Sequence, residues 1–181
     1  ATQKMLPVKG LEECRLGIYG LGNIGARVAV RAAAFDMEVR YHGRQRRQDV
    51  ALGYHDDLIS LASWANVLII CVRATAENRN AVDSSVLQAL GSEGYLVNVA
   101  RGSVVDQAEL IHALRTGVIA GAALDVVDGE PDVPQSLLDM EHVVLTPHIG
   151  AGSRSAHAAR QALVMENLDD FFAGRRLRNL A

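Results

Sequence analysis

The most constraining feature of this chain is Gly20-Leu21-Gly22-Asn23-Ile24-Gly25, three glycines set between a strand-like run at 15–19 and an alanine-rich stretch at 24–35. In that stretch Ile24, Val28, Ala32 and Phe35 fall on one helical stripe. The spacing is G-x-G-x-x-G in the strand-to-helix position that its mechanism requires. The first glycine permits a tight turn, the second lets a pyrophosphate approach the backbone, and the third lets helix and strand pack closely. Unpaired N–H groups and the positive dipole end at the helix start then suit the phosphates. Glycine-rich turns are common, but this one has the flanks of a dinucleotide-binding βα junction.

The same alternation continues along the chain. Strand patterns occur at 38–41, 67–72, 95–99, 120–126 and 142–146, and helical ones at 57–65, 84–90, 106–116 and 153–173. Asp106 reads as an N-cap, Gly117 as the terminator of that helix, Gly91 as a C-cap, and Gly174 as the end of the last helix. Strands alternating with helices call for βαβ crossovers. The expected fold is therefore α/β: a Rossmann-type doubly wound parallel sheet with helices on both faces, three layers in all. Residues 1–13 read as a lead-in, and no repeat, low-complexity segment or linker divides the rest. A single domain over 1–181 is expected, with ample length for a core.

Composition removes several function classes. A net charge of −3 argues against a nucleic-acid surface. Cys14 and Cys71 form neither a metal-ligand spacing nor a disulfide framework, which fits a reducing compartment. No apolar run has transmembrane length and the N-terminus lacks a signal-peptide h-region, so a cytoplasmic location without a membrane partner is expected. No metal site is expected.

The segment after the second strand bears on which dinucleotide is bound. NAD-binding versions of this unit usually place Asp or Glu there for the ribose 2′-hydroxyl. Between Glu38 and Asp49 this chain has no acid and carries Tyr41-His42-Gly43-Arg44-Gln45-Arg46-Arg47 instead. A carboxylate repels a 2′-phosphate, whereas arginine bonds it with charge assistance. NADP(H) is thus preferred over NAD(H), with Arg44 and either Arg46 or Arg47 on the 2′-phosphate. A solvated basic loop is the plainer alternative.

Three ionisable side chains follow hydrophobic runs in the C-terminal half: Arg101 in Asn98-Val99-Ala100-Arg101-Gly102, Glu130 in Gly129-Glu130-Pro131, and His148 in Thr146-Pro147-His148-Ile149-Gly150. In an open parallel sheet, residues just past the strand ends converge on the ligand crevice. Arginine can hold a carboxylate, histidine can move a proton near neutral pH, and glutamate can tune that histidine. Singly, each has an ordinary reading as a surface cation, a loop acid or a satisfied polar group.

Taken together, these segments resemble the D-isomer-specific 2-hydroxyacid dehydrogenases, which include glyoxylate/hydroxypyruvate reductases and phosphoglycerate dehydrogenase. The resemblance runs from about Leu11 through the glycine loop, 96–106, 121–126, 129–131 and 145–150. It implies hydride transfer between NADPH and a 2-oxo acid. Arg101 then binds substrate carboxylate and carbonyl oxygen, His148 is the general acid/base, and Glu130 is its carboxylate partner. Asp125 falls near the nicotinamide carboxamide, with Gly150 and Ala151 beside the ring. The implied coenzyme contacts are Gly20, Gly22, Asn23, Ile24 and Gly25, then Gly43, Arg44, Gln45 and Arg46, then Cys71, Val72 and Arg73, then Val99 and Ala100.

After Cys71-Val72, many relatives carry Pro or Gly, where this chain has Arg73-Ala74-Thr75-Ala76-Glu77; Arg73 either joins the 2′-phosphate site or points to solvent. Family members also have a second, substrate-binding domain, which is expected to be absent from these 181 residues. A homodimer acting on a small 2-oxo or 2-hydroxy acid is implied. The alternative is an NAD(P)-sensing, corepressor-like regulator of the same fold.

Overall fold

A computed structural model describes residues 9–178. The chain divides into two compact units, Ala1–Thr146 and Pro147–Ala181, each described by itself.

In the first unit, strands β1 (Arg15–Tyr19), β2 (Glu38–His42), β3 (Gly53–Tyr54), β4 (Val67–Ile70), β5 (Tyr95–Asn98), β6 (Gly121–Leu124) and β7 (Val143–Leu145) build one sheet. Its order is β3-β2-β1-β4-β5-β6-β7 and every pairing is parallel. The helices are α1 (Asn23–Ala33), α2 (Leu58–Trp64), α3 (Ser84–Leu90), α4 (Gln107–Thr116) and α5 (Gln135–Leu138). The expected α/β Rossmann-type sheet is present. The order reverses between β1 and β4, which makes the crevice past their C-terminal ends the ligand-binding position.

Side-chain alternation divides the core between the two sheet faces. On one face Leu68, Ile70 and Leu96 pack with Leu61 of α2 and Leu87 of α3; on the other, Leu16, Ile18, Val39 and Ile69 pack with Ala29 and Ala32 of α1. Burying one such aliphatic side chain stabilises the fold by about 1.5–3 kcal/mol. Aspartates begin three of the helices. Asp57 accepts from Ser60 N–H at 2.7 Å, Asp83 from Ser85 at 2.9 Å and Val86 at 3.1 Å, and Asp106 from Ala108 and Glu109 at 3.1 Å each. Each cap contributes about 1 kcal/mol.

Several strands stop short of their hydrophobic runs. The patterns at 67–72, 95–99 and 120–126 become β4, β5 and β6, which end at Ile70, Asn98 and Leu124. In each case the backbone leaves the ladder where a site loop begins, although apolar side chains such as Val72, Val99 and Val126 still follow. β3 and α5 had no sequence signal, being too short to show a period.

The second unit holds the segment 147–153, helix α6 (Arg154–Phe172) and the described tail 173–178; Ser153 opens the helix, and its hydroxyl accepts from Ala156 N–H at 3.1 Å. Buried Asp170 accepts from Arg175 Nε at 2.7 Å.

Candidate functional site

Each glycine of the loop after β1 has a separate geometric reason. Gly20 has φ +99°, and a Cβ there would lie 2.7 Å from Val72 N and 2.9 Å from Cys71 C, across the switch between β1 and β4. A Cβ on Gly25 would lie 2.2 Å from the Gly20 carbonyl oxygen and 3.1 Å from Ile18 Cγ2. A Cβ on Gly22 would meet nothing within 4 Å. The first and third glycines let loop, helix and neighbouring strand close on one another, while the second faces open space over the start of α1. That is the fit a pyrophosphate requires.

The loop after β2 rests on aromatic rings. Tyr19 stacks on His42 (5.6 Å between centroids) and His42 on Tyr54 (6.4 Å). His42 Nδ1 donates to the His55 carbonyl at 2.9 Å, and Tyr54 OH donates to the Gly43 carbonyl at 3.1 Å. Arg47 is built into this support. Its N–H donates to Tyr41 OH at 2.7 Å, its guanidinium donates to the Leu21 carbonyl at 3.0 Å, and it pairs closely with Asp49. That pairing holds the Asp49 carboxyl below the usual range. Arg47 thus ties the basic loop to the glycine loop, and Arg44, Gln45 and Arg46 are the exposed members.

Across the switch point, Cys71 N–H donates to the Tyr19 carbonyl at 2.8 Å, and burial pushes the Cys71 thiol up to about 11. Arg73 is exposed, and its carbonyl accepts from Asn78 Nδ2 at 2.9 Å. Asn78 Oδ1 also accepts from Thr75 N–H at 2.8 Å, so one side chain braces the loop 73–78. The Glu77 carboxyl is held below its usual range, first by a hydrogen bond from the Thr75 hydroxyl and last, with a smaller effect, by the charge of Arg44.

Arg101 follows β5 in a turn fixed from inside. Asn98 is 1% exposed; its Nδ2 donates to the Arg101 carbonyl and its Oδ1 accepts from Ala100 N–H, both at 3.0 Å. Val99 is half-buried and Ala100 buried, while Arg101 is exposed and donates to the Ala100 carbonyl at 2.6 Å. A Cβ on Gly102 would lie 2.1 Å from Val127 C and 2.2 Å from Asp128 N. Only glycine permits that approach, which brings the Arg101 turn against the segment ending at Glu130. Glu130 Oε1 accepts from Val127 N–H at 2.9 Å. Asp125, just past β6, accepts from the Thr146 hydroxyl at 2.6 Å.

His148, Gly150 and Ala151 lie in the second unit. His148 has φ +53°, and the turn closes through Gly152 N–H to the Ile149 carbonyl at 2.8 Å. A left-handed conformation at a residue with a Cβ costs on the order of 1–3 kcal/mol, and such strain clusters at functional sites.

Residues 1–150 match the family described as D-isomer specific 2-hydroxyacid dehydrogenase, NAD binding domain. The chain belongs to that family. It is 43% identical over 162 residues to a glyoxylate/hydroxypyruvate reductase A of Arabidopsis thaliana, covering 90% of this chain and 52% of the relative. A hydroxyphenylpyruvate reductase of Plectranthus scutellarioides is 40% identical over 163 residues, with 90% and 52% covered. Among solved structures, the NADPH-dependent glyoxylate/hydroxypyruvate reductase of Sinorhizobium meliloti, in complex with NADP and malonate, superposes with a TM-score of 0.86. It is 42% identical and is covered to 51%, against 92% of this chain. The chain spans about half the length of the relatives it matches. Reductase names among these relatives do not favour the regulatory alternative.

Two supporting residues escaped the sequence reading as site components. Asn98 had a signal, a lone amide closing an apolar strand. Asn78 had none, because its role depends on a loop that only the fold brings near it.

Proposed function

We propose that the chain is the coenzyme-binding part of an NADP(H)-preferring 2-oxo acid reductase, with Arg101, Glu130 and His148 acting on one substrate. The observation that carries this reading is the turn locked by Asn98. It presents Arg101 at the same sheet edge as an open glycine loop and against the Glu130 segment. The reductase relatives support the substrate class.

The glycine loop and the start of α1 would hold the pyrophosphate, and Arg44 with Arg46 the 2′-phosphate. When bound, the nicotinamide supplies the two reducing electrons and a hydrogen. Arg101 grips the substrate carboxylate and polarises the carbonyl oxygen. His148 gives a proton to that oxygen as it becomes a hydroxyl and takes it back in the reverse direction. Glu130 is the carboxylate assigned in this reading as the partner of that histidine. The remainder of a full-length parent would close over the substrate and exclude water, so the 181-residue chain alone binds NADPH and turns over slowly. A cytoplasmic homodimer belongs to the same reading.

The test is NADPH oxidation by the full-length parent with glyoxylate, hydroxypyruvate and an aryl pyruvate. His148→Ala lowers kcat more than it changes KM, and Arg101→Met harms both. Unaltered turnover in the histidine variant refutes the assignment.

A further inference from the structure

Gln107 opens α4, yet its amide serves another part of the chain. Oε1 accepts from Asp128 N–H at 2.9 Å and Nε2 donates to the Asp128 carbonyl at 3.2 Å. A half-buried side chain thus pairs with both backbone groups of one residue, as a neighbouring strand does. Asp128 lies inside the segment that carries Glu130, whose carboxylate is anchored on Val127 N–H. The same segment is pressed against Gly102, next to Arg101. On its outer side, Arg79 meets the Asp128 carboxylate at 3.2 Å as an exposed pair, which solvent screening keeps weak.

We propose that Gln107 is a positioning residue whose paired hydrogen bonds to Asp128 hold the Glu130 turn in register with the Arg101 turn. The cation proposed to bind substrate and the Glu130 carboxylate then keep one relative geometry. This rests on the function proposed above. An amide suits the task because it both donates and accepts, matching the two backbone groups of Asp128.

The experiment uses the full-length parent with NADPH and its best 2-oxo acid. Gln107→Met keeps length and removes both bonds, and Gln107→Ala is made beside it. The expected result is a roughly tenfold fall in kcat, below the hundredfold that a 1 Å displacement can cost. NADPH Kd stays unchanged. KM for the 2-oxo acid rises as well, because the Arg101 turn and the Glu130 turn no longer keep one spacing. A purely structural role lowers the melting temperature without moving kcat or KM.

A parent-like kcat and KM in a cooperatively melting variant overturns the inference, as does loss of fold in both variants. If the parent itself reduces no 2-oxo acid, or His148→Ala turns over normally, the functional reading falls and this role with it. If those controls behave and only the Gln107 variants keep the parent's kcat and KM, the positioning role alone falls.

Discussion

Replacing Asn98 with alanine tests whether the Arg101 turn is held by one buried amide. The substitution deletes two hydrogen bonds of 3.0 Å and strands Ala100 N–H around a side chain that was 1% exposed, whereas the Arg101 carbonyl keeps the bond it accepts from Val104 N–H at 3.2 Å. The bond lost at Arg101 contributes about 1 kcal/mol and the buried N–H left unpaired costs about 1–3 kcal/mol, a loss of roughly 2–4 kcal/mol. At roughly 2–4 °C per kcal/mol for a chain of this size, the melting temperature falls by roughly 4–16 °C. Asn98→Asp separates the two bonds. Its oxygen still accepts from Ala100 N–H, but the position facing the Arg101 carbonyl can donate only while the carboxyl is protonated. Burial and that carbonyl raise the folded-state pKa above the unfolded one. The variant therefore keeps most of its stability below the unfolded carboxyl pKa and loses it as pH rises through the folded value. Melts followed by circular dichroism and by the fluorescence of Trp64, the single tryptophan, measure both variants across pH. An Asn98→Ala melt within about 2 °C of the parent's, or an Asn98→Asp variant insensitive to pH, refutes the reasoning.

Other substitutions separate the parts of the coenzyme site. Arg44→Ala removes a charge-assisted bond worth about 1.5–3 kcal/mol, so NADPH Kd rises roughly 10- to 150-fold while NADH Kd holds; equal loss for both coenzymes contradicts the 2′-phosphate role. Arg47→Ala weakens both coenzymes together in the same titration, because it frees the basic loop from the Leu21 carbonyl. Gly25→Ala drives a Cβ to 2.2 Å from the Gly20 carbonyl oxygen, and the forced backbone shift costs about 1–3 kcal/mol in a melt, with NADPH binding weakened alongside. In a Cys14→Ser background, Cys71 reacts with maleimide at pH 8 about 100-fold more slowly than an ordinary thiol, since burial lifts it from 9.0 to about 11. Labelling at the free-thiol rate counts against that burial.

Much of the fold was legible because its signals are local. β1, the glycine loop and α1 share one short stretch, and the caps Asp106, Gly91 and Gly117 stand where the periodicity stops. The loop ends of β4, β5 and β6 were less legible. Val99 and Val126 have strand-like side chains, but their backbones leave the ladder for reasons held elsewhere. Arg44 and Arg101 were legible as site candidates from residue type and position. Arg47 looked equivalent to Arg44 and Arg46 because its bonds to Leu21 and Asp49 depend on the folding of two separate loops. Gln107 and Asn78 were illegible for the same reason.

These supports separate coenzyme choice from the geometry of the Arg101 and Glu130 turns. Arg44 and Arg46 are exposed on a loop whose backbone is held by Tyr41, Tyr54 and Arg47, so changing their charge leaves the aromatic floor intact. Arg101 and Glu130 instead sit on turns bound to each other through the Gly102 approach and to the sheet through Asn98. A charge substitution at Arg44 or Arg46 acts on a solvated group and alters ligand preference with little cost in stability. A change at Asn98 or Gly102 moves backbone, and with it both catalytic candidates of the first unit. On the proposed reading, alternative coenzyme preferences are therefore reachable by single substitutions in this scaffold, whereas the proposed 2-oxo acid arrangement resists change one residue at a time.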